Sequence, residues 1–382
     1  MSNDALLAGG WRIPVFTLTG FLGSGKTSLL VRLMREPSMA RTALVVNEFG
    51  DVGIDQLTLR QVDANVRLLE HGCLCCTTRE DLLETLRGLY VDRLRGVVPP
   101  FDRVIVETSG LADPIPVIHT LLVDPLLQER YASRGTVTAF DLTQPLDAVL
   151  ARVEGARQVA AADAFVLTKG DLPGALGPSE VIASLRRLNP DAIAFSNDDD
   201  AVRALASCIA AESLDAARPV LEPTAWMLGA IARARGPGRD ERDADVALPG
   251  RAHRPSPVAS FVVRSDRPIP VATASAWIER VVARNASRLL RLKGVVEIAE
   301  QDDPIVVHAV RHLFHPATTL PRRADDPRGT RLVLIVDNPG RLSRDALGAV
   351  VLGAALHAAC ERGEPVRIDA PAPDDTAAAH AA

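Results

Sequence analysis

One short run constrains this chain more than any other: Gly20-Phe21-Leu22-Gly23-Ser24-Gly25-Lys26-Thr27. It follows an apolar, β-branched stretch at residues 13–19 and opens an amphipathic helical pattern at residues 26–35. The spacing is G-x-x-x-x-G-K-[ST], set in the strand–turn–helix context that its mechanism requires. Glycines let the backbone close around phosphate oxygens, with successive N–H groups pointing inward. The helix N-terminus adds positive potential. Gly20, Gly23, Ser24, Gly25 and Ser28 are therefore expected to line the phosphates of a bound nucleotide. In such a loop the Lys26 ammonium reaches the β- and γ-phosphates and the Thr27 hydroxyl binds Mg²⁺, so both are also expected to be catalytic.

A phosphate loop of this kind needs a mostly parallel sheet, and the following residues supply one. Strand patterns at 42–47, 66–69, 103–107, 136–141, 164–168 and 192–196 alternate with helical patterns near 81–95 and 179–188. Strands alternating with helices indicate βαβ units flanked by helices on both faces. Residues 236–257 then turn rich in Gly, Pro and charge, which reads as a flexible linker. Beyond it lie strand patterns at 258–264, 289–298, 305–310 and 332–336 and helical patterns at 271–283 and 344–360, a small α+β domain. The expected organisation is an extension at 1–12, a nucleotide domain at 13–225, a connecting helix and linker at 226–257, the α+β domain at 258–369 and a disordered tail at 370–382.

Within the nucleotide domain, Thr168-Lys169-Gly170-Asp171 ends a buried strand pattern. It is similar to the guanine-specificity element of GTPases, usually Asn-Lys-x-Asp, with Thr168 in the place of Asn. The Asp171 carboxylate can accept from guanine N1–H and the 2-amino group, which adenine does not offer, and the Lys169 stem can pack over the base. Glu107 ends another strand pattern, where a carboxylate can hold Mg²⁺ and is expected to be catalytic. Gly110 follows within Glu107-Thr-Ser-Gly-Leu-Ala-Asp113-Pro, placed to meet the γ-phosphate through its N–H. Asn47-Glu48-Phe-Gly-Asp51-Val-Gly-Ile-Asp55 has the carboxylates and glycines of a second nucleotide-responsive loop.

Five cysteines are present, and Cys73, Cys75 and Cys76 occupy three of four successive positions after Gly72. Thiolates in such density suit Zn²⁺ and related soft ions. Zn²⁺ usually takes four ligands, and Glu48, His71, water or a partner could supply the fourth. A redox pair is the alternative use of such a loop. Cys208 and Cys360 fall on apolar helical patterns and read as core. His308, His312 and His315 could form a second metal site, although structural roles suit them better, because Pro316 and the strand pattern need not let them converge.

The formal net charge is −5, with hydrophobic residues at 47% and charged residues at 24%. No basic stripe beside aromatic platforms points to nucleic acid. No apolar run reaches the ~18–20 residues of a membrane span, and the N-terminus does not read as a signal peptide. The expected location is cytoplasmic, with a monomer or a homodimer equally compatible.

Taken in order, GFLGSGKT, NEFGDVGID, GCLCC, ETSGLADP and TKGD resemble the CobW-type P-loop GTPases over about residues 14–196. The stretch Leu289-Leu-Arg-Leu-Lys293-Gly294 and the HLFHP segment are similar to that family's C-terminal domain. The resemblance implies a GTPase using GTP and Mg²⁺ that binds a transition metal, zinc or else cobalt, and delivers it to client metalloproteins. It puts that metal on Cys73, Cys75 and Cys76 with Glu48 as helper. His71 stands where the family commonly has Asn, and the linker holds only His253 where many members carry a His-rich run. With no Gln placed by the sequence to orient a water, turnover is expected to be slow without a partner or metal. The alternatives are a GTP-dependent switch whose Cys loop senses redox state, and an ATP-driven insertase.

Overall fold

The computed structural model describes residues 12–46, 66–68, 79–212, 214, 257–315, 317–321, 328–340 and 342–352. The chain divides into two compact units, Met1–Val258 and Ala259–Ala382. The expected sites at Glu48, Asp51, Asp55, His71, Cys73, Cys75 and Cys76 lie outside the described residues, as do Cys360 and the linker up to residue 256.

The first unit is built on a seven-stranded sheet. In chain order its elements are β1 (Ile13–Thr19), α1 (Lys26–Met34), β2 (Thr42–Val46), β3 (Val66–Leu68), α2 (Arg79–Leu94) and β4 (Arg103–Glu107). There follow α3 (Ile115–Val123), α4 (Pro125–Arg130), β5 (Tyr131–Asp141), α5 (Leu146–Leu150) and α6 (Val153–Ala161). The unit continues with β6 (Ala164–Thr168), α7 (Pro178–Leu188), β7 (Ile193–Ser196) and α8 (Asp199–Ala210). The strand order is β3-β2-β4-β1-β5-β6-β7, and the paired strands run parallel.

Parallel strands are covered on both faces, so they read as unbroken apolar runs. Every residue of β1, β2, β4 and β6 is buried. The alternation of β1 shows how one strand serves two cores. Phe16 and Leu18 pack with Leu30 and Leu33 of α1 and with Leu205 and Ile209 of α8. Ile13 and Val15 face the other way, toward Leu86 of α2 and Leu121 of α3. Truncating one of these fully buried leucines to Ala typically costs about 2–5 kcal/mol.

Two features differ from the sequence expectation. β5 starts five residues earlier than the apolar run at 136–141, because Arg134 and Gly135 interrupt the pattern. Pairing with β1 carries the strand through them, at the expense of a register shift between Val15 and Phe16. Helices α3, α4, α5, α6 and α8 also stand where the sequence pattern names none. α8 is signalled by its cap: the Asp198 side chain accepts from Ala201 N–H at 2.8 Å, and Asp199 and Asp200 fill the first turn.

The second unit holds β8 (Val258–Ser265), α9 (Val271–Arg284), β9 (Leu289–Val296), β10 (Ile305–Val310), β11 (Leu313–Phe314), β12 (Thr318–Thr319), β13 (Thr330–Asp337) and α10 (Arg344–Leu352). Its main sheet has the order β11-β10-β9-β13-β8, with β12 against β10. The β9–β10 and β9–β13 pairs are antiparallel. Its core joins Phe261, Leu292 and Leu334 of the sheet to Ile278 and Val282 of α9 and Leu347 of α10. Among the described residues, no helix is long and apolar enough to cross a membrane.

Candidate functional site

In a parallel sheet all strands end on one edge, and ligands bind there where the strand order reverses. β1 stands at that point: the chain leaves it for β2 and β3 on one side, returns through β4, and continues to β5, β6 and β7 on the other. The loop after β1 therefore lies between the ends of β4 and β5. Gly20 fits because nothing larger would: a Cβ there would lie 2.3 Å from the Ala139 carbonyl oxygen of β5, at a φ of 145°. The loop closes through Ser24 N–H donating to Phe21 O at 3.0 Å, and Lys26 opens α1.

Lys26 is buried and folds back over the loop, donating to the carbonyls of Gly20 at 3.0 Å and Phe21 at 3.4 Å. Thr27 donates its hydroxyl to Glu107 Oε1 at 3.0 Å, joining the first turn of α1 to the end of β4. Glu107 is held there by register, opposite Leu18 of β1 and Val46 of β2, and Thr108 N–H donates to Leu18 O at 2.9 Å. The Ser24 and Ser109 hydroxyls are buried on this edge with no hydrogen-bond partner among the described residues. A buried polar group of that kind asks for a ligand or water, and phosphate oxygens suit a hydroxyl donor. Gly23 and Ser28 are exposed on the loop and the first turn.

Gly110 is buried and packs on the phosphate loop: a Cβ would lie 2.6 Å from Leu22 Cα and 2.8 Å from Leu22 N. Its loop is tied down by α6. The Gln158 amide donates to Gly110 O at 3.1 Å and Ala112 O at 3.0 Å, and Arg157 pairs with Asp113 at 2.9 Å. Gln158 and Arg157 carry no signal in the sequence, because their partners are 44–48 residues away.

On the other side, Thr168 is buried and donates to Ser24 O at 2.8 Å, with Phe140 O at 3.2 Å. Its hydroxyl is thus engaged with the phosphate loop backbone rather than turned out toward a base. Lys169 is half-buried and pairs with Asp141 Oδ2 at 2.8 Å, while Asp171 is exposed two residues on. Burial alone would raise the Asp141 carboxyl, but the Lys169 ammonium and the Thr143 hydroxyl and N–H outweigh it and hold it below the usual carboxylate range. The structure thus brings the phosphate loop, Glu107, Gly110, Thr168 and Lys169 together. A carboxylate ending a strand pattern was the available signal for Asp141.

The loop after β1, Glu107 and the Thr168–Asp171 turn thus stand on one sheet edge. Residues 14–196 match the model of the CobW/HypB/UreG nucleotide-binding domain, and residues 258–353 match the cobalamin synthesis protein cobW C-terminal domain. The chain belongs to the CobW family. Among its relatives, it is 26% identical to the zinc chaperone YjiA of Escherichia coli over 88% of this chain and 98% of that protein. It is 28% identical to a zinc chaperone CobW of Sinorhizobium, over 85% of this chain and 92% of that protein. Zinc-regulated GTPase metalloprotein activator 1 of Schizosaccharomyces pombe is 32% identical over 46% of this chain and 44% of that protein. The crystal structure of zinc-bound YjiA GTPase from E. coli shares the CobW fold seen here, with a TM-score of 0.56 at 23% identity over 90% of this chain and 99% of that one.

Cys208 and the histidines of the second unit are also placed by the structure. Cys208 lies in the core beside α1, and burial pushes its thiol up. The rings of His308 and His315 stack face to face with centroids 4.1 Å apart and an interplanar angle of 0°. An imidazole ligates a metal in its ring plane, so parallel stacked rings are poorly disposed to share one ion. No group of three His, Cys, Asp or Glu suited to a metal occurs among the described residues.

Proposed function

We propose that this CobW-family chain hydrolyses GTP to GDP and phosphate and couples that cycle to carrying zinc to a client metalloprotein. The observation that carries the nucleotide half is the Thr27–Glu107 pair at 3.0 Å beside the buried Lys26. Those two oxygens suit a hard cation, so Thr27 and Glu107 would hold Mg²⁺, which supplies electrostatic stabilisation to the phosphates. Lys26 leaves its carbonyl partners to meet the β- and γ-phosphates, and the N–H groups from Gly20 to Thr27 cradle them. Gly110 meets the γ-phosphate. Asp171 reads guanine, with Lys169 packed over the base.

Zinc is the cargo, on Cys73, Cys75 and Cys76 with Glu48, and cobalt is the second candidate ion. Relatives along most of the chain are named zinc chaperones, which supports this order. Strand register supports coupling of the two sites. Leu68, the last described residue before the Cys segment, pairs with Val46, which pairs in turn with Glu107. Two strand spacings separate that point from the Mg²⁺ ligand, roughly 10 Å. Binding of GTP would change the loops after β2 and β4, and hydrolysis would relax them and weaken the hold on zinc. Coupling of this kind is reciprocal, so zinc must change GTP affinity by the same factor. Turnover would be slow in isolation: among the described residues, Gln144 and Gln158 lie beside the phosphate loop and the Gly110 loop, and both donate to backbone carbonyls rather than toward a water position.

The test is a chelator-competition titration of the reduced protein with Zn²⁺ and Co²⁺, in GDP and in a non-hydrolysable GTP analogue. Tight zinc binding that differs between nucleotides and disappears in Cys75→Ala is the expected result. Equal affinity in both states would refute the coupling. The redox-switch alternative finds no support among the relatives and is set aside.

A further inference from the structure

The segment after β5, residues 141–144, belongs to neither the phosphate motif nor the base motif, yet it touches both. Asp141 ends the strand with its side chain only 2% exposed. Its Oδ1 accepts from the Thr143 backbone N–H at 2.8 Å and from the Thr143 hydroxyl at 2.7 Å, which closes the turn. Its Oδ2 is left for the Lys169 ammonium at 2.8 Å. Gln144, at the other end of the segment, donates to Leu22 O of the phosphate loop at 2.8 Å.

Lys169 carries a second mark. Its φ is 59°, a left-handed conformation that residues other than glycine adopt only when their surroundings impose it. Leu142 flanks the turn: its N–H donates to Thr168 O at 3.0 Å and its carbonyl accepts from Leu176 N–H at 2.7 Å. Its side chain lies under Gly170, 3.2 Å from where a Cβ would stand. A half-exposed lysine is otherwise free to sample solvent, and a buried carboxylate already satisfied on one oxygen gives the ammonium a single place to go.

We infer that Asp141 is a positioning residue for nucleotide binding, holding the Lys169 stem over the guanine while Gln144 keeps the phosphate loop in step with it. This rests on the guanine-nucleotide reading above. Asp141 acts through Lys169 alone, so the two substitutions must not add. Any direct ion pair shows that dependence; one that merely stabilised the fold would weaken phosphate binding as much as base binding.

The experiment measures GDP dissociation constants of the full chain for the parent, Asp141→Asn, Lys169→Ala and the double variant, with tripolyphosphate competition as the base-free probe. Asn keeps an oxygen for Thr143. The expected result is about a tenfold loss of GDP affinity in each single variant, no further loss in the double variant, and equal tripolyphosphate binding in all four. Unchanged GDP affinity in Asp141→Asn overturns the inference. So does an Asn effect that persists undiminished beside Lys169→Ala, or an equal loss of tripolyphosphate. If Asp141→Asn shows no cooperative unfolding transition, Lys169→Met, which keeps the stem and removes its anchor, decides the matter: a tenfold loss supports the inference and unchanged affinity overturns it. A parent that binds tripolyphosphate but has no preference for GDP removes the guanine reading and this inference together. A parent that binds GDP tightly beside an inert Asn variant removes this inference alone.

Discussion

Replacing Thr168 with Val isolates one atom at the centre of the site. Both side chains are β-branched and nearly the same shape, so the change removes the hydroxyl and little else. That hydroxyl has a single proton, and the shorter of its two contacts is to Ser24 O at 2.8 Å, against 3.2 Å to Phe140 O. The side chain is buried, so water cannot readily take its place. Removing one partner of a buried neutral hydrogen bond costs about 1–3 kcal/mol, and about 1–2 kcal/mol is expected here because only one bond is broken. In a unit of this size each kcal/mol lowers Tm by roughly 2–4 °C. Ser24 belongs to the loop that cradles the phosphates, so the same free energy bears on nucleotide binding. If all of it is needed to hold the loop in its binding form, GDP affinity falls about 5- to 30-fold. Thermal unfolding without nucleotide and calorimetric GDP titration read the two quantities separately. Thr168→Ser keeps the hydroxyl and should stay close to the parent in affinity. A Val variant that matches the parent in both Tm and GDP affinity would refute the view that this residue braces the phosphate loop.

Gly110→Ala forces a methyl within 2.8 Å of the Leu22 backbone, so its loop must move; affinity for a non-hydrolysable GTP analogue should fall more than affinity for GDP, and equal losses would argue against a γ-phosphate contact. Gln158→Leu removes both donors to Gly110 O and Ala112 O. It should cost about 2 kcal/mol of stability by urea unfolding and slow hydrolysis at saturating GTP, whereas an unchanged rate would mean that the Gly110 loop needs no support from α6. Asp171→Ala should erase the preference for GTP over ATP in a competition assay, and a preference that survives would place base recognition elsewhere. Acid should destabilise the nucleotide domain through Asp102 and Asp141. Asp102 is held low first by its hydrogen bond from Arg41, against its own burial, and Asp141 by Lys169 and Thr143 against burial. Their stabilisation is present above the unfolded carboxylate pKa of about 3.9 and is lost as pH falls through the lower folded values. In urea titrations between pH 6 and about 3, Asp141→Asn should therefore lose less stability than the parent.

The candidate motifs of this protein were legible where they occupy contiguous residues. The run from Gly20 to Thr27 specifies a phosphate cradle locally, because glycine backbone freedom, a helix N-terminus and a lysine are all supplied within eight positions. The positions of Thr168 and Glu107 were legible for a similar reason: each ends an apolar run that forms a buried strand. What the sequence could not disclose is which strands become neighbours. Asp141 and Lys169 are 28 residues apart and meet because β5 pairs with β6 in a register that sets Asp141 opposite Thr168. Thr168 reaches Ser24 across 144 residues, and Gln158 reaches the Gly110 loop across 48, because α6 packs against β5 behind it. Such contacts have no period and no local composition. They follow from strand order, which is settled by how a buried sheet covers both its faces, and that is a property of the assembled chain rather than of any segment within it.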